Sequence, residues 1–368
     1  MILTVSLFVL NATLCQSGTI AFITGESPFD YQLACLDLGS GEVRTPGRGL
    51  SDSAPQWSPD GSRVAYQSRI EGGYSVCVYS VDTETTEILP HTYAWNYEPA
   101  WSPDSRKIAY CSEVGDTPLR SLAVYDLESQ REELWGGGHE GLLSPAWLPS
   151  TDMLKALDPD DQLAADSLGL FALKEEAEKN GALLAIGVAG MPPKLSTEIF
   201  IVTRDQVIPL LSLLTGQSTR YVRYAVTPDF KGRQIAYECN EGGDREIFMI
   251  GRRGIANLSN HPAADWNPKW SPDNNWITFE SFRNGYSGIY LIQATTAGVT
   301  AIAGAKEYQC WSPSWSPDGK WIVYVSNESG MPQLYASSFD GITQKQLTHE
   351  KYGALNPVWR PAPQKSKD

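Results

Sequence analysis

The fifteen residues Glu98–Ser112, EPAWSPDSRKIAYCS, hold a tryptophan, a Ser-Pro-Asp turn and a short apolar strand. Ala54–Ser68 reads APQWSPDGSRVAYQS and Ser312–Ser326 reads SPSWSPDGKWIVYVS, nearly the same string. Proline at the second position of a turn fixes φ, aspartate bonds a downstream backbone N–H, and glycine accepts a positive φ. These stretches therefore predict a tight turn between two strands, each copy entered through a tryptophan. Asp60, Asp104, Asp229, Asp273 and Asp318 read as turn residues on separate units, so they form no acid–base pair.

The tryptophan anchors are Trp57, Trp101, Trp147, Trp270, Trp315 and Trp359, separated by 44, 46, 123, 45 and 44 residues. The long gap holds VTPDFKGRQIAYEC, in which Val226 replaces the tryptophan 44 residues before Trp270. A worn copy, AEKNGALLAIG from Ala177, aligns with WSPDGSRVAYQ from Trp57. After each turn come a strand (RVAYQS, KIAYCS, WIVYVS), a polar loop, a second apolar strand (YSVCVYS, GIYLIQ) and a weaker outer strand. Short aromatic and β-branched runs at regular spacing mark an all-β repeat, and four strands per unit mark a propeller blade. Counting MLKALD at Met153 and LGLFAL at Leu168 as strands gives eight four-stranded antiparallel blades. The alternative is seven blades with 148–180 as an insertion. NPVWRP near the C-terminus would complete the blade begun by TIAFIT at Thr19, closing the ring and hiding two sheet edges. Each buried indole would stabilise by a few kcal/mol through the area it removes from water.

Hydrophobic residues make up 42% of the 368 and aromatics 11%, enough for a large core; the net charge is −14. That charge lacks the basic footprint of a nucleic-acid binder. Residues 1–17, MILTVSLFVLNATLCQS, read as a secretory signal whose apolar run is too short to span a bilayer. The expectation is a periplasmic or secreted monomer without an integral span. Lipidation at Cys15 is the lesser alternative, because the usual small residue before the cysteine is missing. The propeller would occupy 18–362, with 363–368 a disordered tail. The six cysteines show no CxxC or zinc spacing, and those in strand patterns read as small hydrophobes.

The pattern P-x-W-S-P-D-G-x-x-I-A-F/Y-x-S followed by an I-Y-V strand resembles the TolB-like WD-type propeller repeat, most fully at NHPAADWNPKWSPDNNWITFESFRNGYSGIYLI from Asn260. The resemblance covers nearly the whole chain after residue 17 and reaches the propeller part alone. It implies one of several roles: a periplasmic binding scaffold, the propeller of an oligopeptidase, or a propeller lyase acting on oligosaccharides. An oligopeptidase needs a G-x-S-x-G elbow, and GYSGI at Gly285 has Ile in place of the second Gly. No phosphate loop, HExxH or EF-hand pattern is present, and no cofactor is expected.

His91, His139, His261 and His349 precede their anchors by 10, 8, 9 and 10 residues, so all four lie in the loop from an outer strand to the next inner strand. Metal ligands must converge within about 2.0–2.2 Å of one ion. Histidines spread around a ring do not, so no metal site is expected. The same loops carry Tyr93, Trp95, Tyr97, Trp266, Tyr308 and Trp311, residue types suited to sugar stacking or protein hot spots, or to extra packing between blades. Arg69, Glu113, Glu241, Arg283 and Glu328 fall in loops facing the same side, as a charged rim or as solvated turns. The expected function is a non-catalytic scaffold that binds a protein or glycan partner through Trp95, Trp266, Trp311, His91 and His261. The alternative is a lyase-like or peptidase-associated enzyme using histidines and carboxylates at the central opening.

Overall fold

The computed structural model describes residues 18–27, 30–47, 50–115, 119–156, 169–188, 196–216, 220–251 and 254–362. Residues 1–17, the expected secretory signal with Cys15, and residues 363–368, the expected disordered tail, lie outside them. Among the described residues, seven four-stranded antiparallel sheets form, each with its strands in spatial order from first to fourth. The first (inner) strands are Ala354–Trp359 (blade 1), Leu50–Trp57 (blade 2), Asn96–Trp101 (blade 3) and Leu142–Trp147 (blade 4). Blades 5, 6 and 7 begin at Arg223–Pro228, Asp265–Trp270 and Cys310–Trp315. Each inner strand touches the next in succession, and Ala354–Trp359 touches Leu50–Trp57, so the inner strands encircle an axis. Blade 1 joins the two chain ends: Ile20 pairs with Trp359 and Thr24 with Ala354.

Seven blades replace the expected eight, because Trp147 and Leu183–Val188 are the first and second strands of one blade. Between them, Met153–Ala156 of MLKALD lie in helix α1 (Asp152–Ala156) and Leu170–Leu173 of LGLFAL open helix α2 (Leu170–Asn180); residues 157–168 lie outside the description. Leu170, Leu173 and Ala177 share one helical face and are buried. The remaining Ala, Glu and Lys are strong helix formers, and that composition defeats the strand reading. A third helix, α3 (Leu210–Thr215), follows the outer strand of blade 4. Glu198 receives its N-terminal N–H groups from Leu211 and Ser212 at 3.0 and 3.1 Å.

Seven apolar clusters fill the seven interfaces between blades. Six contain an anchor indole. The indole N–H of Trp57, Trp101, Trp147, Trp270 and Trp315 donates to an inner-strand carbonyl of the preceding blade: Val358, Gln56, Ala100, Thr227 and Lys269, at 3.0–3.1 Å. The ring is thus stitched by hydrogen bonds as well as packed.

Blade 5 departs from the expected alignment. Its strand-end position belongs to Pro228, which pairs with Ile235 as Trp270 pairs with Ile277. Asp229 stands where the other copies have serine, receiving the N–H of Gln234 as Ser58 Oγ receives that of Arg63. Val226 is therefore not the anchor equivalent. The interface between blades 4 and 5 lacks an indole, and Leu148, Met153, Leu154, Leu170 and Leu173 from the insertion fill it instead.

The remaining turn aspartates serve their own turns. Ser58, Ser102, Ser271 and Ser316 donate to Asp60, Asp104, Asp273 and Asp318 at 2.5–2.6 Å.

Candidate binding face

Every inner strand except that of blade 5 holds a residue at positive φ three positions before its tryptophan: Ala54, Glu98, Ser144, Asn267, Ser312 and Asn356, at 50–56°. Pairing slips by one residue there, a β-bulge. A left-handed non-glycine costs on the order of 1–2 kcal/mol, and side chains of the preceding blade offset it by accepting the freed N–H. Ser144 N–H donates to Glu98 (2.8 Å), Asn267 N–H to Glu238 (2.7 Å) and Ser312 N–H to Glu280 (2.9 Å). The bulge changes the alternation, so the residues four, three and one before the anchor are partly open, whereas the intervening prolines are buried. Those open positions face the axis.

The position four before the strand end is rich in aromatics: Tyr97, Tyr224, Trp266 and Trp311. They stand at the mouth of the axial opening, on the side of the histidine-bearing loops. Two nests form there. In blades 2 and 3, Tyr74 lies 5.8 Å from Trp95 and 5.6 Å from Tyr97 between ring centroids. Arg120 covers the Tyr97 ring at 4.1 Å, and the Tyr97 hydroxyl donates to Glu113 at 3.1 Å. In blades 5 and 6, Arg245 covers the Tyr224 ring at 3.6 Å and pairs with Glu238 at 3.4 Å. Trp266 lies 5.1 Å from Phe282 and donates its indole N–H to Glu280 at 2.9 Å. Trp95, Tyr224 and Phe282 are 42%, 37% and 45% exposed, which leaves aromatic surface open to solvent. Trp311 is different: it is half-buried against the cluster between blades 7 and 1.

Burial raises the carboxyl pKa of Glu238 and Glu280 despite the hydrogen bonds they accept. Lys269, one position before its tryptophan, is an exposed residue on the axial side of its strand. Desolvation lowers its ammonium pKa, and the fields of Glu238 and Glu280 only partly oppose that.

The histidines do not converge. His91 is buried away from the mouth: Val76 N–H donates to its Nε2 at 3.0 Å, and Nδ1 lies 3.1 Å from Tyr110 Oη and 3.4 Å from Glu132. It packs between blades 2 and 3 and lines a cleft with Thr92, Tyr125 and Glu132. His261 lines a cleft of about 280 Å³ with Glu241, Asp244 and Glu246 on blade 5. There its Nδ1 accepts the N–H of Ala263 at 3.1 Å. His139 lies 5.6 Å from the ring of Phe200, and His349 Nδ1 lies 3.1 Å from Gln346. Among the described residues no group of three or more His, Cys, Asp or Glu is placed to hold a metal ion, and the five described cysteines are buried.

Sequence reasoning missed Tyr74, Tyr224, Phe282, Arg120 and Arg245. Tyr224 was within reach: counting four back from Pro228 finds it, while counting from Val226 does not.

No protein-family model matches the chain. A stretch of 109 residues is 28% identical to the Tol-Pal system protein TolB of Syntrophus aciditrophicus, covering 27% of this chain and 22% of that protein's length. Among solved structures, TolB from Acinetobacter baumannii matches with a TM-score of 0.57 at 16% identity, over 94% of this chain and 67% of that one. The β-propeller domain of the Trilobed protease from Pyrococcus furiosus matches at 0.64 and 12% identity, over 90% and 94%. An oligogalacturonate lyase in complex with manganese matches at 0.60 and 14%, over 87% and 85%. At these identities the structural likeness establishes the propeller and nothing finer. No helix among the described residues is long and apolar enough to cross a membrane.

Proposed function

We propose that this chain, a TolB-like β-propeller, is a non-catalytic scaffold that engages a protein or glycan partner through the aromatic mouth of its axial opening. The observation that carries the reading is the pair of arginine-covered aromatic nests, Trp95–Tyr74–Tyr97–Arg120 and Tyr224–Arg245–Trp266–Phe282, placed nearly opposite each other across the axis. Tyr, Trp and Arg dominate binding hot spots because they present large, rigid contact area with a polar handle. A periplasmic or secreted location accords with the TolB relative and with the apolar leader.

The lyase-like alternative has less support. Each imidazole is committed to contacts in its own part of the ring, and the carboxylates at the mouth are occupied by bulge N–H groups and by Arg245.

The test is capture from a periplasmic extract and a glycan array, repeated with Trp266→Ala and Tyr97→Ala. Each variant should keep its melting temperature within a few degrees and weaken the captured interaction by roughly tenfold or more. Unchanged capture by both variants would remove the mouth as the binding face.

A further inference from the structure

We infer that the axial opening beneath the mouth receives the carboxylate-terminated end of an extended polypeptide, with Lys269 as the charge on which it docks. This rests on the binding-face reading above and adds the chemistry of the ligand.

Lys269 occupies the register one before the strand end. That register is fixed by its carbonyl, which accepts the Trp315 indole N–H as the carbonyls of Gln56, Ala100, Thr227 and Val358 accept theirs. Those four equivalents are neutral, as are Ala146 and Ser314, so one cation faces the axis at this level. Among the described residues no carboxylate pairs with its ammonium. The two acids whose fields reach it are held elsewhere: Glu238 by Asn267 N–H and Arg245, Glu280 by the Asn267 side chain, Ser312 N–H and the Trp266 indole. An exposed ammonium that faces the axis and lacks a direct counter-charge is a ready anion contact. Desolvation lowers its pKa, and a bound carboxylate would oppose that shift.

The path sets the ligand's form. From Trp266 at the mouth to Lys269 the bulged strand covers two rungs of its partner, Glu280 to Thr278, about 7 Å at roughly 3.3 Å per residue. The last three residues of an extended peptide span that distance, with side chains among the mouth aromatics and the terminus at Lys269. An oligouronate carries a carboxylate on every sugar and would set several of them against Glu98, Glu238 and Glu280. A peptide with one terminal charge avoids that repulsion, and for this reason the geometry favours it.

The experiment uses fluorescence anisotropy with the whole chain and a labelled pool of hexapeptides whose last three residues are apolar or aromatic, made as free acids and as C-terminal amides. The free acids should bind about tenfold tighter than the amides. Lys269→Met should erase that gap and Lys269→Arg should keep it, while Trp266→Ala should weaken acids and amides alike. Equal binding of acids and amides, an acid preference that survives Lys269→Met, or no peptide binding would each overturn the inference. So would tighter binding of oligogalacturonate than of any free acid. If Trp266→Ala weakens binding and Lys269→Met changes nothing, the mouth stands as the binding face and only the carboxylate assignment falls.

Discussion

The indole of Trp101 fills the gap between blades 2 and 3 and bonds the Gln56 carbonyl, so packing and polar terms act at one residue. Trp101→Ala should destabilise by about 3–5 kcal/mol, measured by urea denaturation. Trp359 offers an internal comparison, because its buried Nε1 has no acceptor. Trp101→Phe should therefore cost about 1 kcal/mol more than Trp359→Phe, the net worth of one hydrogen bond; equal losses would show that the indole N–H contributes nothing. Glu132 carries a pH signature. Burial alone would raise its pKa, but hydrogen bonds from His91, Thr92 and Tyr110 outweigh it and hold the carboxyl at about 2. A folded pKa below the unfolded one gives stability that is present above the unfolded value, near 4.5, and is lost as pH falls toward 2. Glu132→Gln should lower stability at pH 7 by about 1–3 kcal/mol and flatten the acid limb between pH 5 and 2. Stability profiles of variant and wild type that run parallel across that window would refute it.

At the scale of elements, the insertion in blade 4 replaces a missing indole. Leu173 is fully buried in the interface between blades 4 and 5, whereas Phe171, two residues earlier on α2, is 46% exposed. Leu173→Ala should cost about 2–5 kcal/mol and Phe171→Ser within about 0.5 kcal/mol. Similar small losses at both would mean that the helix is an ornament. The same element marks where sequence reading stops. Turn chemistry and strand alternation are local, so each Trp-Ser-Pro-Asp copy announces its own blade. LFAL reads equally as a strand or as the start of a helix until Lys174–Asn180 are weighed with it. Blade 5 misled for a related reason: TPDFKG keeps Pro-Asp but shifts it by two, and only pairing with Ile235–Cys239 shows Asp229 doing a serine's work. At the site, Trp95, Trp266 and Trp311 were visible as aromatics near anchors. The packing of His91 was not legible, because it comes from Tyr110 and Glu132 on the neighbouring blade, well separated in sequence.

For the whole molecule, closure ties the ends of the chain into one sheet, so the ring's stability depends on its last strand. Removing residues 354–368 exposes Ile20–Thr24 as an edge and strips Trp359 from the interface between blades 7 and 1. The truncated chain should lose cooperative unfolding or aggregate, seen as a broadened calorimetric transition; a sharp transition at the wild-type temperature would show that the ring does not need its clasp. The intact ring holds two aromatic nests at fixed separation over an axial opening, the mouth proposed above as the binding face. Hydrogen exchange with and without the partner captured on the scaffold tests this most directly. Protection should concentrate in the inner strands and the loops before them, around Tyr97, Tyr224, Trp266 and Lys269. Protection confined to the Ser-Pro-Asp turns on the opposite side, or to the outer strands, would contradict it.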